Sequence, residues 1–365
     1  DKNEIDSFFE YVKNPEKIFT LRVNTTKISA EEILELIISQ NPNVKIRKGP
    51  FYNTLLMDIE GPFDIPIHSK KILIDRYAAE SIMKGADLFF PGVKYPVGKV
   101  KKGDLISLIN LNDEEIVAEA ISQEDAINIR SDIQGICAIT INSVYKTPKF
   151  RDFKPNMWDR GLYTDQSLIP LFAVSFFMDH YKPGMKIFDL CSAPGNKTTA
   201  MSEIAYYRFK EFPEIYAIER SSRRVKSIEN LIKRLGLKNI TIINEDIREF
   251  LKKNQNEVFE QGDLVYFDPP CSALGKRPKL EFEFGIRHIE ESARYQKMLL
   301  SSAVQYVKPN GILMYNTCTL SIQENEMICK EIIEKYGFYP ISINIPEYFE
   351  KNYKISRGVP IEGLQ

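Results

Sequence analysis

The sequence has few of the residues that build a metal site or a histidine-based catalytic centre. Its three histidines, His68, His180 and His288, lie far apart in the chain, which limits any Ser-His or Cys-His mechanism. The five cysteines are scattered, without a C-x-x-C pair or a histidine partner at zinc spacing. We therefore expect neither a disulfide framework nor a bound metal. Scattered thiols favour a reducing compartment, so we expect a cytoplasmic protein.

The chain also lacks a hydrophobic run of membrane-spanning length, and no signal peptide is visible. It starts at Asp1 rather than Met, so we expect a trimmed N-terminus. A length of 365 residues exceeds one ordinary core, which predicts two or three domains. The formal net charge of -1 predicts no polyanion partner from the overall field, so a nucleic-acid surface would have to be a local patch.

The pattern of the first half changes near residue 70. Residues 1–70 indicate an α+β region, with a strand at 19–24 and a helix that starts at the capping box of Ser29 and Glu32. That helix should end before Pro42. Residues 71–147 predict a small β-barrel-like domain, because a short helix at 76–84 is followed by several short β-like runs. Those runs lie at 106–109, 116–118 and 138–141.

Residues 148–160 indicate a linker, and from residue 181 onward strand and helix patterns alternate. We therefore expect a third domain, 148–365 including the linker, with an α/β fold, a largely parallel sheet and crossover helices. The predicted strands are 186–190, 214–218, 239–243, 263–267, 311–316 and 338–344.

Two cysteines lie just beyond predicted strands. Cys271 ends the segment Asp268-Pro269-Pro270-Cys271, and Cys318 lies between two threonines. Ligands of open α/β sheets bind beyond the carboxyl ends of the strands, so both thiols could line one cleft. The prolines would stiffen a loop that holds a planar base against Asp268. The alternative is that both are inert cysteines, since cysteine often acts as a small hydrophobe.

The first strand of the predicted parallel sheet runs into a turn of small residues. Small side chains would let a ligand approach the backbone amides at the start of the next helix. A P-loop is disfavoured, because its two glycines would fall at Cys191 and Asn196. A turn without a ligand is about as consistent with this segment alone. The turn comprises Cys191, Ser192, Ala193, Pro194, Gly195, Asn196 and Lys197.

Acidic residues follow the next two strands. Glu219 is placed to hold the hydroxyls of a ribose, and Arg224 could pair with it. Asp246 could accept from an adenine amino group or cap the following helix. Each acid alone could be a solvated carboxylate. Three acids at successive strand ends, with Asp268 as the third, favour a ligand site.

Basic residues form local clusters in a chain of nearly balanced charge. Residues 84–102 carry a net charge of +4 and include the aromatic residues Phe89, Phe90 and Tyr95, and residues 146–160 carry +3. Such patches can hold phosphates and stack bases, although most charge runs are simply solvated. The candidate RNA-binding residues are Lys84, Lys94, Lys99, Lys101, Lys102, Lys149, Arg151, Lys276 and Arg277.

These segments, in this order, resemble the Fmu/Sun family of RNA cytosine-5 methyltransferases. The resemblance rests on 191–197, on Asp268-Pro269-Pro270-Cys271, on Thr317-Cys318 and on Arg22-Val23-Asn24-Thr25. Residues 71–147 resemble a PUA RNA-binding domain, on Ile74-Asp75-Arg76-Tyr77-Ala78-Ala79-Glu80, Gly85-Ala86 and Phe90-Pro91-Gly92. The resemblance implies a Rossmann-like methyltransferase domain and a branch of the family that modifies a cytosine near the tRNA acceptor end.

The resemblance also implies a cofactor and roles for individual residues. S-adenosylmethionine would be held by 191–197, Glu219, Arg224, Asp246 and Asp268. Cys318 would be the nucleophile, Cys271 would aid product release, and Asp268 would hold the base. Lys197 could activate Cys318 if the two strand ends adjoin. The partner would be tRNA, with a base that is unpaired or flipped out, and we expect a monomer.

Two features depart from the family pattern. Glu219 stands where aspartate is frequent, and no Gly-Phe-Phe-Ile-Ala-like final strand is visible before Gln365. We therefore expect a sheet short of one strand, or an incomplete chain. The alternatives to a tRNA enzyme are an rRNA cytosine-5 methyltransferase, a non-catalytic RNA-binding protein and an amino-methyltransferase that needs no Cys318. Cys137 and Cys329 are expected in the core.

Overall fold

The structure is a computed structural model that describes residues 2–253, 261–281 and 285–353. The chain forms two compact units. Unit 1 comprises Asp1–Phe19, Met57–Lys149 and Lys276–Glu283. Unit 2 comprises Thr20–Leu56, Phe150–Gly275 and Phe284–Gln365. Each unit is therefore assembled from three separate stretches of the sequence.

The N-terminal region starts with two helices and three strands. They are α1 (Lys2–Lys13), β1 (Ile18–Val23), α2 (Ala30–Gln40), β2 (Ile46–Lys48) and β3 (Thr54–Asp58). The capping box at the start of α2 is present: the Ser29 hydroxyl accepts from the Glu32 amide, and the Glu32 carboxylate accepts from the Ser29 amide. Helix α2 ends before Asn41-Pro42, as predicted.

Unit 1 is built on a six-stranded sheet of order β5-β9-β8-β7-β4-β6. Its elements are β4 (Lys71–Ile74), α3 (Arg76–Ile82), β5 (Leu88–Phe89), β6 (Val93–Val97), β7 (Leu105–Asn110), β8 (Ile116–Ser122) and β9 (Ile136–Ser143). The β4–β7 pair is parallel and the other pairs are antiparallel. Its hydrophobic core includes Leu280, which comes from the distant third stretch of this unit.

Unit 2 contains a five-stranded parallel sheet and its crossover helices. After β10 (Tyr163–Asp165), the strands are β11 (Lys186–Leu190), β12 (Glu214–Ile218), β13 (Ile240–Ile243), β14 (Gly262–Phe267) and β15 (Val307–Tyr315). The helices are α4 (Leu168–Met178), α5 (Asn196–Phe209), α6 (Ser222–Leu235), α7 (Ile247–Lys253), α8 (Ile286–Ala303), α9 (Glu326–Tyr336) and α10 (Glu347–Asn352). Strand β10 pairs antiparallel with β1 in a separate sheet, β10-β1-β3-β2.

The parallel sheet has the order β13-β12-β11-β14-β15. Strand β11 lies at the centre, so the order reverses there and a crevice opens beyond its carboxyl end. Side chains alternate between the two faces of the sheet, and the central strands β11 and β14 are mostly buried on both faces. In β14, Leu264 and Tyr266 pack with the residues of α4 and α5, whereas Val265 and Phe267 pack with those of α8 and α9. The predicted α/β class with a parallel sheet is confirmed.

The strand predicted at 338–344 is wrong. These residues are described and form no strand, and most of their side chains are exposed. The alternation of Ile341 and Ile343 with polar residues imitated a half-buried strand. Pro340, however, has no amide hydrogen for a strand ladder. Strand β15 is therefore the edge of the parallel sheet as described.

Candidate active site

Three loops leave the parallel sheet side by side. Leu190 at the end of β11 pairs in register with Phe267 of β14, which pairs with Tyr315 of β15. The residues that follow these three positions are Cys191, Asp268 and Asn316. Backbone hydrogen bonds continue the ladder there, from the Asn316 amide to the Phe267 carbonyl and from the Asp268 amide to the Leu190 carbonyl. Cys191 and Asp268, which the sequence placed at strand ends, thus lie beside Asn316 at the carboxyl end of the sheet.

The small-residue loop after β11 turns tightly into α5. Cys191 and Gly195 both adopt left-handed backbone conformations, with φ of +65° and +101°. The positive φ favours glycine at position 195, and a Cβ there would also make a tight contact of 3.3 Å with Ile228 of α6. Burial raises the pKa of the Cys191 thiol, which makes Cys191 a packed side chain rather than a nucleophile.

Glu219, after β12, is an almost buried carboxylate with one unmet acceptor. Its Oε1 accepts from the Ser221 amide at 2.9 Å. Its Oε2 has no hydrogen-bond donor, although Nη1 of Arg224 lies 3.3 Å away. Arg224 also donates to the Ala193 carbonyl at 2.7 Å, so it links the acid to the small-residue loop. An unmet buried acceptor of this kind suits a ligand hydroxyl.

Asp246, after β13, is held by one arginine. Arg248 donates from Nε to Oδ1 at 2.8 Å and from Nη2 to Oδ2 at 2.7 Å. These bonds hold the pKa of Asp246 below its usual range. The carboxylate is therefore ionised and keeps acceptor capacity for a further donor.

A cleft lies between these groups. It brings together four predicted residues, Cys191, Glu219, Arg224 and Asp246, with Pro270 of the Asp-Pro-Pro-Cys segment. Sequence reasoning missed Arg220, Tyr295 and Leu299, which also line the cleft, as do Ile218, Glu245 and Ile247. Arg220 donates to the Tyr295 hydroxyl at 2.7 Å. Arg220 could have been suggested, because it is adjacent to Glu219. Nothing in the sequence around Tyr295 and Leu299 on α8 indicates that they reach the cleft.

Asp268 is fixed by residues from both neighbouring loops. It forms an ion pair with the Lys197 ammonium, and Asn316 donates to its Oδ1 at 3.0 Å. All three side chains are part-buried. Lys197 thus acts on Asp268, while its predicted influence on Cys318 stays a prediction. Asn316 was missed in the sequence, although it precedes the Thr317-Cys318 motif.

Cys271 and Cys318 lie in contact, with 3.3 Å between their sulfur atoms. The Gly275 amide donates to the Cys318 carbonyl at 3.0 Å and joins the two loops. Cys318 is exposed and Cys271 is half-buried. Hydrogen bonding to Cys318 and burial raise the pKa of the Cys271 thiol. Cys271 is thus suited to remain a thiol that donates to the sulfur of its neighbour.

The remaining cysteines lie outside this arrangement. Cys137 is buried in the unit 1 core, where burial raises its pKa to about 12. Burial also raises the pKa of Cys329 on α9. Among residues 2–253, 261–281 and 285–353, no cluster of histidine, cysteine, aspartate and glutamate side chains could hold a metal ion. In the same part of the chain, no helix has both the length and the apolar character needed to cross a membrane.

The predicted RNA-binding residues differ in their accessibility. Exposed side chains are Lys94, Lys99, Lys101, Lys102, Lys149, Arg151 and Lys276. Lys84 is half-buried, and burial lowers its pKa. Arg277 donates to the backbone carbonyls of Tyr11, Asn14 and Pro15 and stacks on the Tyr11 ring. Its guanidinium thus has a structural task within unit 1.

Comparisons with known proteins agree with this architecture. The family described as 16S rRNA methyltransferase RsmB/F matches residues 178–354, and the PUA domain matches residues 70–139. The tRNA (cytosine(72)-C(5))-methyltransferase of Pyrococcus horikoshii is 30% identical over 92% of this chain and 83% of the relative. NSUN6 of Homo sapiens, with the same enzyme name, is 25% identical over 89% of this chain and 74% of the relative.

Other relatives match about half of the chain. Ribosomal RNA small subunit methyltransferase F of Aeromonas salmonicida is 34% identical over 47% of this chain and 35% of the relative. The crystal structure of NSun6 from Pyrococcus horikoshii with SFG has a TM-score of 0.79 at 30% identity, covering 92% of this chain and 84% of that chain. The chain therefore belongs to the Fmu/Sun family of S-adenosylmethionine-dependent RNA cytosine-5 methyltransferases, in the branch that carries a PUA domain.

Proposed function

We propose that the protein transfers a methyl group from S-adenosylmethionine to C5 of a cytosine near the acceptor end of tRNA. The observation that carries this proposal is the contact between the Cys271 and Cys318 sulfur atoms. Both cysteines follow the carboxyl ends of neighbouring parallel strands, where Asp268 also lies. The relatives that match nearly the whole chain are named as tRNA cytosine-72 enzymes. The rRNA enzyme matches only about half of it, which favours tRNA over rRNA.

The cleft residues fit S-adenosylmethionine. The unmet Oε2 of Glu219 is suited to a ribose hydroxyl, and Asp246 to the amino group of adenine. Residues 191–197 would lie along the methionine part, with the start of α5 at their end. The related NSun6 structure was determined with SFG, an analogue of this cofactor. When bound, S-adenosylmethionine supplies an electrophilic methyl group on a sulfonium centre.

The two thiols divide the chemistry on the base. Cytosine C5 is too weak a nucleophile to take a methyl group unaided. In the proposed mechanism the exposed Cys318 thiolate adds to C6 and makes C5 enamine-like, so that C5 can attack the methyl carbon. Asp268, held by Lys197 and Asn316, binds the exocyclic amine of the base. Loss of the C5 proton then restores the C5–C6 double bond and expels the Cys318 thiolate.

Cys271 would assist the release step. Its raised pKa keeps it protonated beside the Cys318 sulfur, where its S–H can stabilise the departing thiolate. The tRNA would be gripped by the PUA domain and by the exposed basic residues, with the target base unpaired or flipped out. We further propose that the protein acts as a monomer in the cytoplasm.

Methyl transfer from labelled S-adenosylmethionine to tRNA and to 16S rRNA tests this function. We expect incorporation into tRNA, at a cytosine near the acceptor end when the modified base is mapped. Cys318→Ala should abolish incorporation, because the base would no longer be activated. Cys329→Ala is a matched control and should keep wild-type activity, since Cys329 lies on α9.

Each remaining outcome points to a different function. Full activity of Cys318→Ala would overturn the nucleophile and favour an amino-methyltransferase. Incorporation into rRNA alone would move the substrate assignment to the ribosome. A wild-type protein that binds tRNA but shows no calorimetric signal with S-adenosylmethionine would be a non-catalytic RNA-binding protein.

A further inference from the structure

Glu324 is a fully buried carboxylate just beyond the Cys318 loop, with a relative exposure of 0%. The donors that reach it are neutral groups. Its Oε1 accepts from the Ser272 amide and from Gln296 Nε2, both at 2.9 Å. Its Oε2 accepts from the Ser272 hydroxyl and, at 2.8 Å, from the Ser321 hydroxyl. A buried carboxylate is tolerated when donors replace its lost hydration, and here five do, the fifth being the Thr319 hydroxyl at 3.4 Å from Oε2.

The serine and threonine donors come from both cysteine loops. Ser272 directly follows Cys271, and Thr319 directly follows Cys318. The Thr319 hydroxyl lies 2.6 Å from the Ser272 hydroxyl and also donates to Glu324 Oε2 at 3.4 Å. One carboxylate therefore ties together the residues that follow the two cysteines.

Gln296 connects this network to α8, and Tyr315 connects it to the sheet. Gln296 donates to the Pro270 carbonyl at 3.0 Å as well as to Glu324. The Tyr315 hydroxyl, at the end of β15, donates to the Glu324 carbonyl at 2.6 Å. The segments on both sides of each cysteine are thus held by the same buried cluster.

We propose that Glu324 is a positioning residue that fixes the Cys271 and Cys318 sulfur atoms in contact and in register with Asp268. The role in catalysis rests on the proposed function, whereas the role in holding the two sulfurs does not. Separate loops would let the exposed Cys318 move independently of Cys271. A misplacement of about 1 Å costs about 100-fold in rate in well-ordered active sites.

Phenylarsine oxide reports on the two sulfurs without RNA or cofactor. Its trivalent arsenic forms two As–S bonds with a pair of adjacent thiols, and the two thiol protons leave with the oxide oxygen as water. The wild-type protein should bind it tightly, and Cys271→Ala should not. In Glu324→Ala we expect binding to weaken about tenfold or more, because the two thiols no longer act as one chelate.

Steady-state kinetics separate positioning from folding. Glu324→Ala should lower kcat for methyl transfer about 100-fold, with KM for S-adenosylmethionine within about twofold of wild type. Glu324→Gln keeps the Oε1 acceptor, and the serine hydroxyls can rotate to accept from its amide. This variant should therefore keep most of the arsenical affinity and most of the kcat of the wild type. Glu331→Ala on α9 is the matched control, because Glu331 pairs with Lys335 and Lys297. It should leave arsenical binding and kcat unchanged.

Folding is checked by circular dichroism and thermal unfolding. If Glu324→Ala does not fold, Ser272→Ala takes its place, since it removes a hydroxyl that donates to Glu324 and lies 2.6 Å from the Thr319 hydroxyl. We expect that variant to weaken arsenical binding at least threefold. A folded variant with wild-type arsenical affinity and wild-type kcat would overturn the proposal. Glu324-dependent arsenical binding in a protein that methylates no RNA would support the positioning role and reject the proposed function.

Discussion

The sulfur atoms of Cys271 and Cys318 lie 3.3 Å apart, although 47 residues separate the two cysteines in the chain. The contact follows from neighbouring parallel strands, β14 and β15, whose loops leave the sheet at the same edge. The two thiols are not equivalent, because Cys318 is exposed and Cys271 is half-buried with a raised pKa. The difference between the two thiols leads to a prediction for Cys271→Ala, and their contact leads to a prediction for oxidation.

Cys271→Ala should trap a covalent protein–RNA adduct. Cys318 can still add to C6 of the base, but the thiol that assists its release is gone. On denaturing gels with labelled tRNA, we expect a retarded band in this variant and little in the wild type. The double variant with Cys318→Ala should show no band. If Cys271→Ala turns over normally without an adduct, Cys271 has no part in release.

Mild oxidation should inactivate the enzyme reversibly. With the sulfurs in contact, diamide can accept two electrons and two protons from the thiols and leave a Cys271–Cys318 disulfide. We expect at least tenfold loss of methyl transfer, restored by dithiothreitol. Peptide mapping by mass spectrometry should find this disulfide, whereas Cys137, whose pKa is raised by burial, should stay reduced. Inactivation of the wild type without a Cys271–Cys318 disulfide in the peptide map would point to another oxidised group.

Much of this site could be predicted because it depends on strand ends. The apolar runs before Cys191, Asp268 and Cys318 pair in register as parallel neighbours. A sequence pattern that marks a strand therefore also marks which loop residues meet. The helix start at Ser29 and the tight turn at Gly195 could also be predicted, because each depends on residues that are close in the sequence.

Contacts made by helix faces and buried polar groups could not be predicted. Arg22 and Glu203 lie 181 residues apart, and nothing local indicates that their side chains meet. The place of Tyr295 in the lining of the cleft depends on how α8 packs on the sheet. The wrong strand at 338–344 has the opposite origin, since its local pattern was right but Pro340 cannot complete a ladder.

Glu219→Gln should weaken cofactor binding with little effect on stability. A hydrogen bond to a charged acceptor contributes about 1.5–3 kcal/mol, so we expect the Kd for S-adenosylmethionine to rise about 10- to 100-fold. Isothermal titration calorimetry measures this directly. Glu214→Gln, at the opposite end of the same strand, is the matched control and should bind normally. Equal effects of both variants would exclude a specific contact from Glu219.

Asp189→Asn should remove part of the pH dependence of stability. Burial raises the pKa of Asp189 to about 7, and the Thr198 hydroxyl donates to its carboxylate. Because the pKa of Asp189 is higher in the folded than in the unfolded protein, its contribution to the free energy of unfolding is complete below about pH 4. It is lost as the pH rises towards 7, with a slope of up to roughly 1.4 kcal/mol per pH unit.

Urea unfolding of wild type and Asp189→Asn between pH 4.5 and 8 measures this contribution. The asparagine keeps an acceptor for Thr198 and has no charge to bury. Relative to this variant, the wild type should lose stability as the pH rises to about 7 and then level off. A constant difference between the two proteins across this range would mean that Asp189 is ionised throughout.

Arg22→Met should be among the most destabilising single changes in unit 2. Arg22 and Glu203 are both completely buried, and Arg22 Nε donates to Glu203 Oε2 at 2.9 Å. The guanidinium also donates to the Thr199 hydroxyl at 2.8 Å and to the Asn196 carbonyl at 2.6 Å, in the first turns of α5. Removing one partner leaves a buried charge unpaired, which costs about 3–5 kcal/mol.

The matched control is Lys48→Met, which breaks the exposed pair of Lys48 with Glu31. Exposed pairs contribute at most about 1 kcal/mol, so urea unfolding should separate the two variants clearly. Because Arg22 holds the first turns of α5, cofactor affinity should fall together with stability. The pairing is tested further by Arg22→Met with Glu203→Leu, which removes both buried charges and should recover part of the lost stability. If the double variant is less stable than Arg22→Met, Glu203 is not left as an unpaired charge when Arg22 is removed.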